Sequence, residues 1–286
     1  MYSAAVTDVN KLKNIASQVR RDIVRMVHAV QSGHPGGSLG CADYFTALYF
    51  HIMNHNPNHF TIEGHGEDIF ILSNGHISPA LYSVLARNGY FPIEELATFR
   101  KLNSRLQGHP TTMEHLPGIR VATGSLGQGL SFATGVALQK KLDADPSIVY
   151  VNLGDGELQE GQNWEAIMYA AHNQVDNLIA TIDFNKQQID GSTVDIMGFD
   201  NLRNKFESFG WLVMEMNGNN MEQILQKMKE AKEKTGMDKP IAVIMKTEMG
   251  AGVDFMMGSH KWHGIPPNDQ QLADALAQLP ETLGDY

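Results

Sequence analysis

From residue 148 to residue 246 the chain alternates short apolar runs with longer amphipathic stretches, and this alternation restricts the fold more than any other feature. Strands are expected over 148–153, 178–183, 211–216 and 241–246, with helices over 160–172, 202–209 and 221–234 between them. Strands separated by helices pair in parallel, because a crossover helix returns the chain to the same edge of the sheet. The fold class expected is therefore α/β, a doubly wound and mainly parallel sheet with helices on both faces. In such sheets ligands collect at the carboxyl ends of the strands.

The first half is less regular. Apolar residues at Leu12, Ile15, Val19, Ile23, Met26, Val27 and Val30 recur at helical spacing until Gly33 ends the pattern. A second helix is expected over 41–52, a short strand over 69–72, and a helix over 79–86, with loops at 34–38, 74–76 and 108–110. The run Thr123-Gly124-Ser125-Leu126-Gly127-Gln128-Gly129 opens a small-residue helix reaching about Leu142, and a last helix covers 268–279. No repeat or linker divides the chain, so residues 1–286 are read as one domain.

The formal net charge is -10, and Lys and Arg cluster only in the pairs Arg20-Arg21 and Lys140-Lys141, read as solvated helix faces. Phosphate-backbone binding needs clustered cations, so a nucleic-acid surface is excluded. Eighteen apolar residues never run together, which excludes a membrane-spanning helix. Cys41 is the single cysteine, so no intrachain disulfide can form, and Met1-Tyr2-Ser3-Ala4-Ala5 lacks the basic-then-apolar pattern of a leader. A cytoplasmic protein is expected.

The chemistry concentrates at two successive strand ends. Gly154-Asp155-Gly156 follows the apolar run at 148–153, and Asp183-Phe184-Asn185 closes the next strand. A carboxylate and a carboxamide so placed can hold a hard cation, and a cation flanked by glycines can carry a diphosphate against the backbone. Magnesium asks for oxygen ligands, so Asp155, the Asn185 side-chain oxygen and the backbone carbonyl of Gln187 make a sufficient protein contribution.

Six motifs then share one order. Ser32-Gly33-His34-Pro35-Gly36-Gly37, Leu72-Ser73-Asn74-Gly75-His76, Gln107-Gly108-His109-Pro110, the run at 123–129, Gly154-Asp155-Gly156-Glu157-Leu158-Gln159-Glu160-Gly161 with Asp183-Phe184-Asn185-Lys186, and Lys261-Trp262-His263-Gly264 together span nearly the whole chain. In this it resembles the transketolase family over that family's amino-terminal, diphosphate-binding third. The resemblance implies thiamine diphosphate as cofactor, with Mg2+ or Ca2+ held by Asp155, Asn185 and Gln187. It further implies that Gly156 approaches the diphosphate, Ile189 packs on the cofactor, and Gly124 and Leu126 contact the aminopyrimidine. His76 and His263 would lie nearest the diphosphate, His34, His109 and His263 would face the sugar, and Glu160 would join a proton relay at a subunit boundary.

The family's pyrimidine-binding and C-terminal domains are not present in the sequence. The resemblance thus implies the amino-terminal subunit of a split transketolase, paired with a separate chain as a two-plus-two heterotetramer acting on sugars or sugar phosphates. The implied activity is transfer of a two-carbon ketol unit from a ketose to an aldose. Alternatives are a related thiamine enzyme (deoxyxylulose-phosphate synthesis, 2-oxo acid decarboxylation or a sulfosugar transketolase) and a noncatalytic cofactor-binding subunit.

The histidines also have a chemical rationale of their own. Imidazole donates and accepts near neutral pH, so several rings converging from Gly/Pro loops suit a polyol whose hydroxyl protons move. His51, His55 and His59 are four apart, but Pro57 breaks the helix that would align them, and exposed turn residues are expected there instead of a zinc stripe. Two departures from the family stand out. Gly66-Glu67-Asp68 replaces a common Asp-Arg-Asp, and Arg120 stands where an acidic residue is usual, changes expected to affect subunit contacts or substrate preference.

Overall fold

The structure, a computed structural model, describes residues 5–199 and 201–286, so the leader reading at Met1 to Ala4 lies outside the described residues. Five parallel strands form its centre: β1 (Ile69–Leu72), β2 (Val149–Gly154), β3 (Leu178–Phe184), β6 (Leu212–Asn217) and β7 (Ile241–Lys246), in the order β1-β2-β3-β7-β6. Between β3 and β6 a two-residue-armed hairpin, β4 (Gln187–Gln188) and β5 (Gly191–Ser192), forms its own antiparallel pair.

Helices cover both faces because strand side chains alternate. Phe70, Leu72, Tyr150, Ile179, Val243 and Met245 enter one core with α1 (Val9–Ala29), α2 (Pro35–Ala47), α3 (Ser78–Arg87), α8 (Met221–Glu233) and α9 (Asp269–Gln278). Ile71, Val149, Val151, Leu153, Ala180 and Ile182 enter a second with α4 (Gln128–Leu142), α5 (Gly161–His172) and α7 (Leu202–Ser208). A short α6 (Thr193–Met197) follows the hairpin. The α/β class and the strand assignments are thus as the periodicity predicts, with boundaries shifted by a residue or so. The strand order runs outward one way from β2 and β3 and returns through β6 to β7, so the crossovers reverse between β3 and β7. That reversal opens a crevice at the carboxyl ends.

Several expectations require correction. Residues 34–38 are not a loop: α2 begins at Pro35, whose missing N–H suits a first helical position, and it runs on through Gly36 and Gly37, where close neighbours leave no room for a side chain. A Cβ on Gly36 would meet Met249 Cγ at 2.6 Å, and one on Gly37 would meet Ile77 at 2.9 Å. The helix expected over 41–52 ends at Ala47 and continues as a π turn over Leu48–Ile52.

Of the two basic pairs only Lys141 is exposed as expected. Arg20 grips Asp43 at 2.6 Å, Arg21 grips Asp285 at 2.6 Å, and Lys140 reaches Asp145 at 2.8 Å, all three from buried positions. His55 is likewise buried, bonded to the Tyr49 carbonyl and the Tyr90 hydroxyl at 2.8 Å each, whereas His59 is exposed as expected. Long cationic side chains and imidazoles bury readily once distant partners satisfy them.

The two family departures meet each other. Arg120 Nη2 lies 2.6 Å from Glu67 Oε2, with both side chains at or below a tenth exposed, and the guanidinium stacks 4.7 Å over Phe60. Glu67 also accepts the Asn56 N–H at 2.9 Å. The two positions singled out as departures thus form one buried ion pair of this chain.

Candidate active site

A cavity of about 320 Å³ opens at the crevice, at the carboxyl ends of β1, β2 and β3. His34 enters it from the start of α2, and His76 from the turn after β1. His109, Gly124 and Leu126 enter from the connection before α4. Asp155 and Gly156 follow β2, Asn185, Gln187 and Ile189 follow β3 through the hairpin, and His263 sits on the turn His260–His263. Eleven of the twelve residues singled out in the sequence therefore line one space. The twelfth, Glu160, does not: it precedes α5, exposed, beside Gly127.

Asp155 is 1% exposed, and its carboxylate receives the Lys186 N–H at 2.6 Å and the Gly156 N–H at 2.8 Å. Burial and the negative charge of Asp183 push it up to about 8. Asp183 is also buried and pushed up to about 6 by desolvation, although Thr247, Cys41 and Asn185 donate to it. Two buried carboxylates side by side, with no Lys or Arg paired to either among the described residues, form a donor set that a divalent cation relieves. Asn185 holds its amide by donating to Asp183 at 3.0 Å, while its Oδ1 accepts the Gln187 N–H at 2.8 Å and keeps a free lone pair. The residues present fit a hard cation bound through oxygen.

Three imidazoles form the opposite wall. The ring centroid of His34 lies 4.9 Å from that of His76 and 5.6 Å from that of His263, and His76 and His263 are 5.1 Å apart. The Nδ1 atoms of His34 and His263 are buried without a protein partner among the described residues. Buried polar atoms aimed into a cavity are satisfied by a polar ligand or water. His109 packs on Gly124, whose φ of +127° and lack of a Cβ admit the ring: a Cβ there would meet His109 Cδ2 at 2.6 Å. Burial is the largest influence on all four rings, bringing His34 down to about 4 and lowering His76, His109 and His263. At neutral pH they are uncharged, each with one donor and one acceptor nitrogen.

These shifts set the pH response of the cofactor-free chain. His34, His76, His109, His263 and the buried His55 have folded values below 6.5, so below that pH the unfolded chain gains protons the folded chain refuses. Asp155, Asp183 and Glu157 act oppositely, since their raised folded values bind protons that the unfolded chain releases. The imidazoles thus withdraw stability as the pH falls through the unfolded histidine range, and Asp155 withdraws it as the pH rises through about 8. Above about pH 7 the histidines are neutral in both states, so stability is expected to fall from about pH 7 to about pH 9. The melting temperature of the cofactor-free chain checks this, and a rise over that interval would contradict the role given to Asp155.

Glu157 escaped sequence reasoning. It is buried, lines the cavity, and its carboxylate accepts the Ser73 hydroxyl, the Gly127 N–H at 2.8 Å and the Gly154 N–H at 3.0 Å. Three loops carrying site residues thus converge on one side chain. Asn74 and Gln188 also line the space, and Asn74 accepts from Asn152 at 3.0 Å. Adjacency to the motifs was the one available signal for Glu157 and Asn74; Gln188 is positioned by a hairpin too short to announce itself.

Comparison with known proteins agrees with the motif reading. The family described as "Transketolase, thiamine diphosphate binding domain" matches residues 11–282. The chain is 39% identical over 269 residues to the 6-deoxy-6-sulfo-D-fructose transketolase subunit SqwG of Clostridium sp. strain MSTE9, covering 94% of this chain and 96% of that protein. It is 38% identical over 275 residues to an apulose-4-phosphate transketolase subunit of Phocaeicola vulgatus, covering 96% of each. Among solved structures, the transketolase of Campylobacter jejuni superposes with a TM-score of 0.88 at 34% identity, over 96% of this chain and 43% of that one. The chain belongs to the transketolase family, within its thiamine-diphosphate-binding domain.

Proposed function

We propose that the chain is the thiamine-diphosphate-binding subunit of a two-chain transketolase that moves a two-carbon ketol unit from a ketose to an aldose. The observation that carries this reading is the convergence of the metal-type oxygens and the four imidazoles in one cavity. Asp155, the Asn185 amide oxygen and the Gln187 carbonyl would hold Mg2+ or Ca2+, and Gly156 would leave room for the diphosphate. Gly124 and Leu126 would meet the aminopyrimidine, Ile189, 60% exposed on the hairpin, would cover the cofactor, and His76 would steady the diphosphate with His263. When bound, the cofactor supplies a nucleophilic carbon and an electron sink.

The protein's part is to orient and to handle protons. His34, His109 and His263 are neutral, so each can accept a proton from one sugar hydroxyl while donating to another. Glu160, exposed at the start of α5, would serve a relay across a subunit boundary. Residues 1–286 are taken to work as one diphosphate-binding unit, in the cytoplasm. The pyrimidine-binding domain is assigned to a separate partner chain in a two-plus-two heterotetramer. Two relatives that match this chain nearly end to end are themselves named subunits, which supports the division. The relatives' printed substrates, a sulfosugar and an apulose phosphate, support an anionic ketose or aldose as substrate.

The test is ketol transfer from xylulose 5-phosphate or 6-deoxy-6-sulfofructose to an aldose phosphate by the chain assembled with its partner, with and without thiamine diphosphate and Mg2+. Cofactor-dependent product supports the reading, and none with a saturated cofactor site rejects it. In the same assay His263→Ala is expected to lower kcat by about 100-fold, within the span removed with one proton-handling group, while the melting curve stays cooperative. Unchanged turnover would strip His263 of its role.

A further inference from the structure

The two sugar-facing histidines His34 and His109 are joined by a side chain that lines no part of the cavity. Arg100 adopts the left-handed region, φ +55°, and its backbone N–H is fixed to the Leu106 carbonyl at 2.9 Å. Left-handed backbone is disfavoured for any residue with a Cβ, so the surrounding structure must hold it. The side chain turns back beneath the cavity wall. Nη1 donates to Ser32 Oγ at 2.9 Å, and Nη2 lies 3.5 Å from the Gly108 carbonyl, at the edge of hydrogen-bond reach.

Ser32 and Gly108 each lie just ahead of a sugar-facing histidine. Ser32 is two residues before His34, and Gly108 is one before His109. The guanidinium lies flat on Gly108: a Cβ there would come within 2.6 Å of Cζ, 2.7 Å of Nε and 2.8 Å of Nη2. Glycine at 108 is therefore what lets the guanidinium occupy its place. The same Gly108 carbonyl accepts the Ser78 hydroxyl at 2.8 Å, which fixes this loop further. No carboxylate pairs with Arg100 among the described residues, and its Nε is buried without a partner. An arginine kept for stability through an ion pair would show such a partner.

We propose that Arg100 is a positioning residue for the sugar site, one rigid fork that bridges the loops bearing His34 and His109 and sets the spacing of their rings. A planar, multi-donor guanidinium can satisfy two acceptors at fixed separation, which a lysine ammonium on a flexible stem cannot. Its charge also acts on both rings, and with burial it helps keep them neutral. Displaced rings no longer meet the sugar hydroxyls at hydrogen-bond distance, so the clamp has leverage on donor binding without touching substrate. This assignment rests on the ketol-transfer reading of the cavity.

The test uses the chain assembled with its partner. Arg100→Ala is expected to raise the KM for the donor ketose by about tenfold or more, while thiamine diphosphate affinity stays within about twofold of wild type. Arg100→Lys should resemble Arg100→Ala, and added guanidinium should restore part of the loss in the alanine variant alone. Gly108→Ala provides a second route: the arginine remains but its flexible end is displaced, and the same rise in KM is expected with little change in melting temperature. With 15N-labelled histidine, the His34 and His109 ring signals should move in both variants and that of His55, held by Tyr49 and Tyr90, should not. Unmoved His34 and His109 signals, or moved signals with an unchanged KM, would overturn the proposal. Signals that move in the variants, where the wild-type assembly transfers no ketol unit, would support the clamp and reject the ketol-transfer reading, so the two failures are separable.

Discussion

Replacing Asp155 with alanine is expected to abolish cation-dependent binding of thiamine diphosphate in the assembled protein, with an affinity loss above about 100-fold. Losing a residue that merely supports a metal ligand costs about 10- to 100-fold, and Asp155 is proposed as a ligand itself. The fold should survive. The variant leaves the Lys186 and Gly156 N–H groups without their acceptor, at about 1 to 3 kcal/mol each. Against that, it removes a buried carboxyl whose ionised form is disfavoured in the cofactor-free chain, as its rise to about 8 from desolvation first and Asp183 second shows. Asp155→Asn keeps the shape and discards the charge, so it should bind the cofactor nearly as poorly. Titration calorimetry with and without Mg2+ decides the matter, and an affinity that still rises with Mg2+ in Asp155→Ala would take Asp155 out of the site.

The second large effect belongs to Glu157. Glu157→Ala strips the acceptor from the Gly127 N–H, the Gly154 N–H and the Ser73 hydroxyl at once. At about 1 to 3 kcal/mol for each buried group left unsatisfied, a destabilisation on the order of 4 kcal/mol is expected. Because these donors lie on the loops after β1, before α4 and after β2, cofactor affinity should fall with stability instead of independently of it. Glu157→Gln should show about half the loss, since the amide oxygen can still accept but its NH2 must face a donor. Urea denaturation checks the series. An alanine variant within about 1 kcal/mol of wild type would mean that water replaces the carboxylate without penalty.

Much of this site was legible because its chemistry is written in short loops. Asp155 and Asn185 each stand at the end of an apolar run, and a parallel sheet brings successive strand ends together, so their meeting follows from periodicity alone. The four cavity histidines announce themselves by glycine or proline neighbours. What stayed hidden depends on partners far away in sequence. Glu157 is buried by Ser73 and Gly127, 84 and 30 residues distant, and His55 by Tyr90, 35 residues distant. Neither contact leaves a local trace. The start of α2 was misread for a different reason: Gly36 and Gly37 lower helix propensity, and the crowding by Met249 and Ile77 that requires glycine there is tertiary.

The buried pair of Glu67 and Arg120 constrains how this sequence can be recombined. Exchanging one of the two segments for one that lacks the opposite charge would leave the remaining charge uncompensated at a site where both side chains are a tenth or less exposed. An uncompensated buried charge typically costs about 3 to 5 kcal/mol, a sizeable part of what a domain this size has to spare. A chimera joined between residues 67 and 120 to a parent without this pair therefore inherits that mismatch, whereas a crossover outside the interval carries the pair intact.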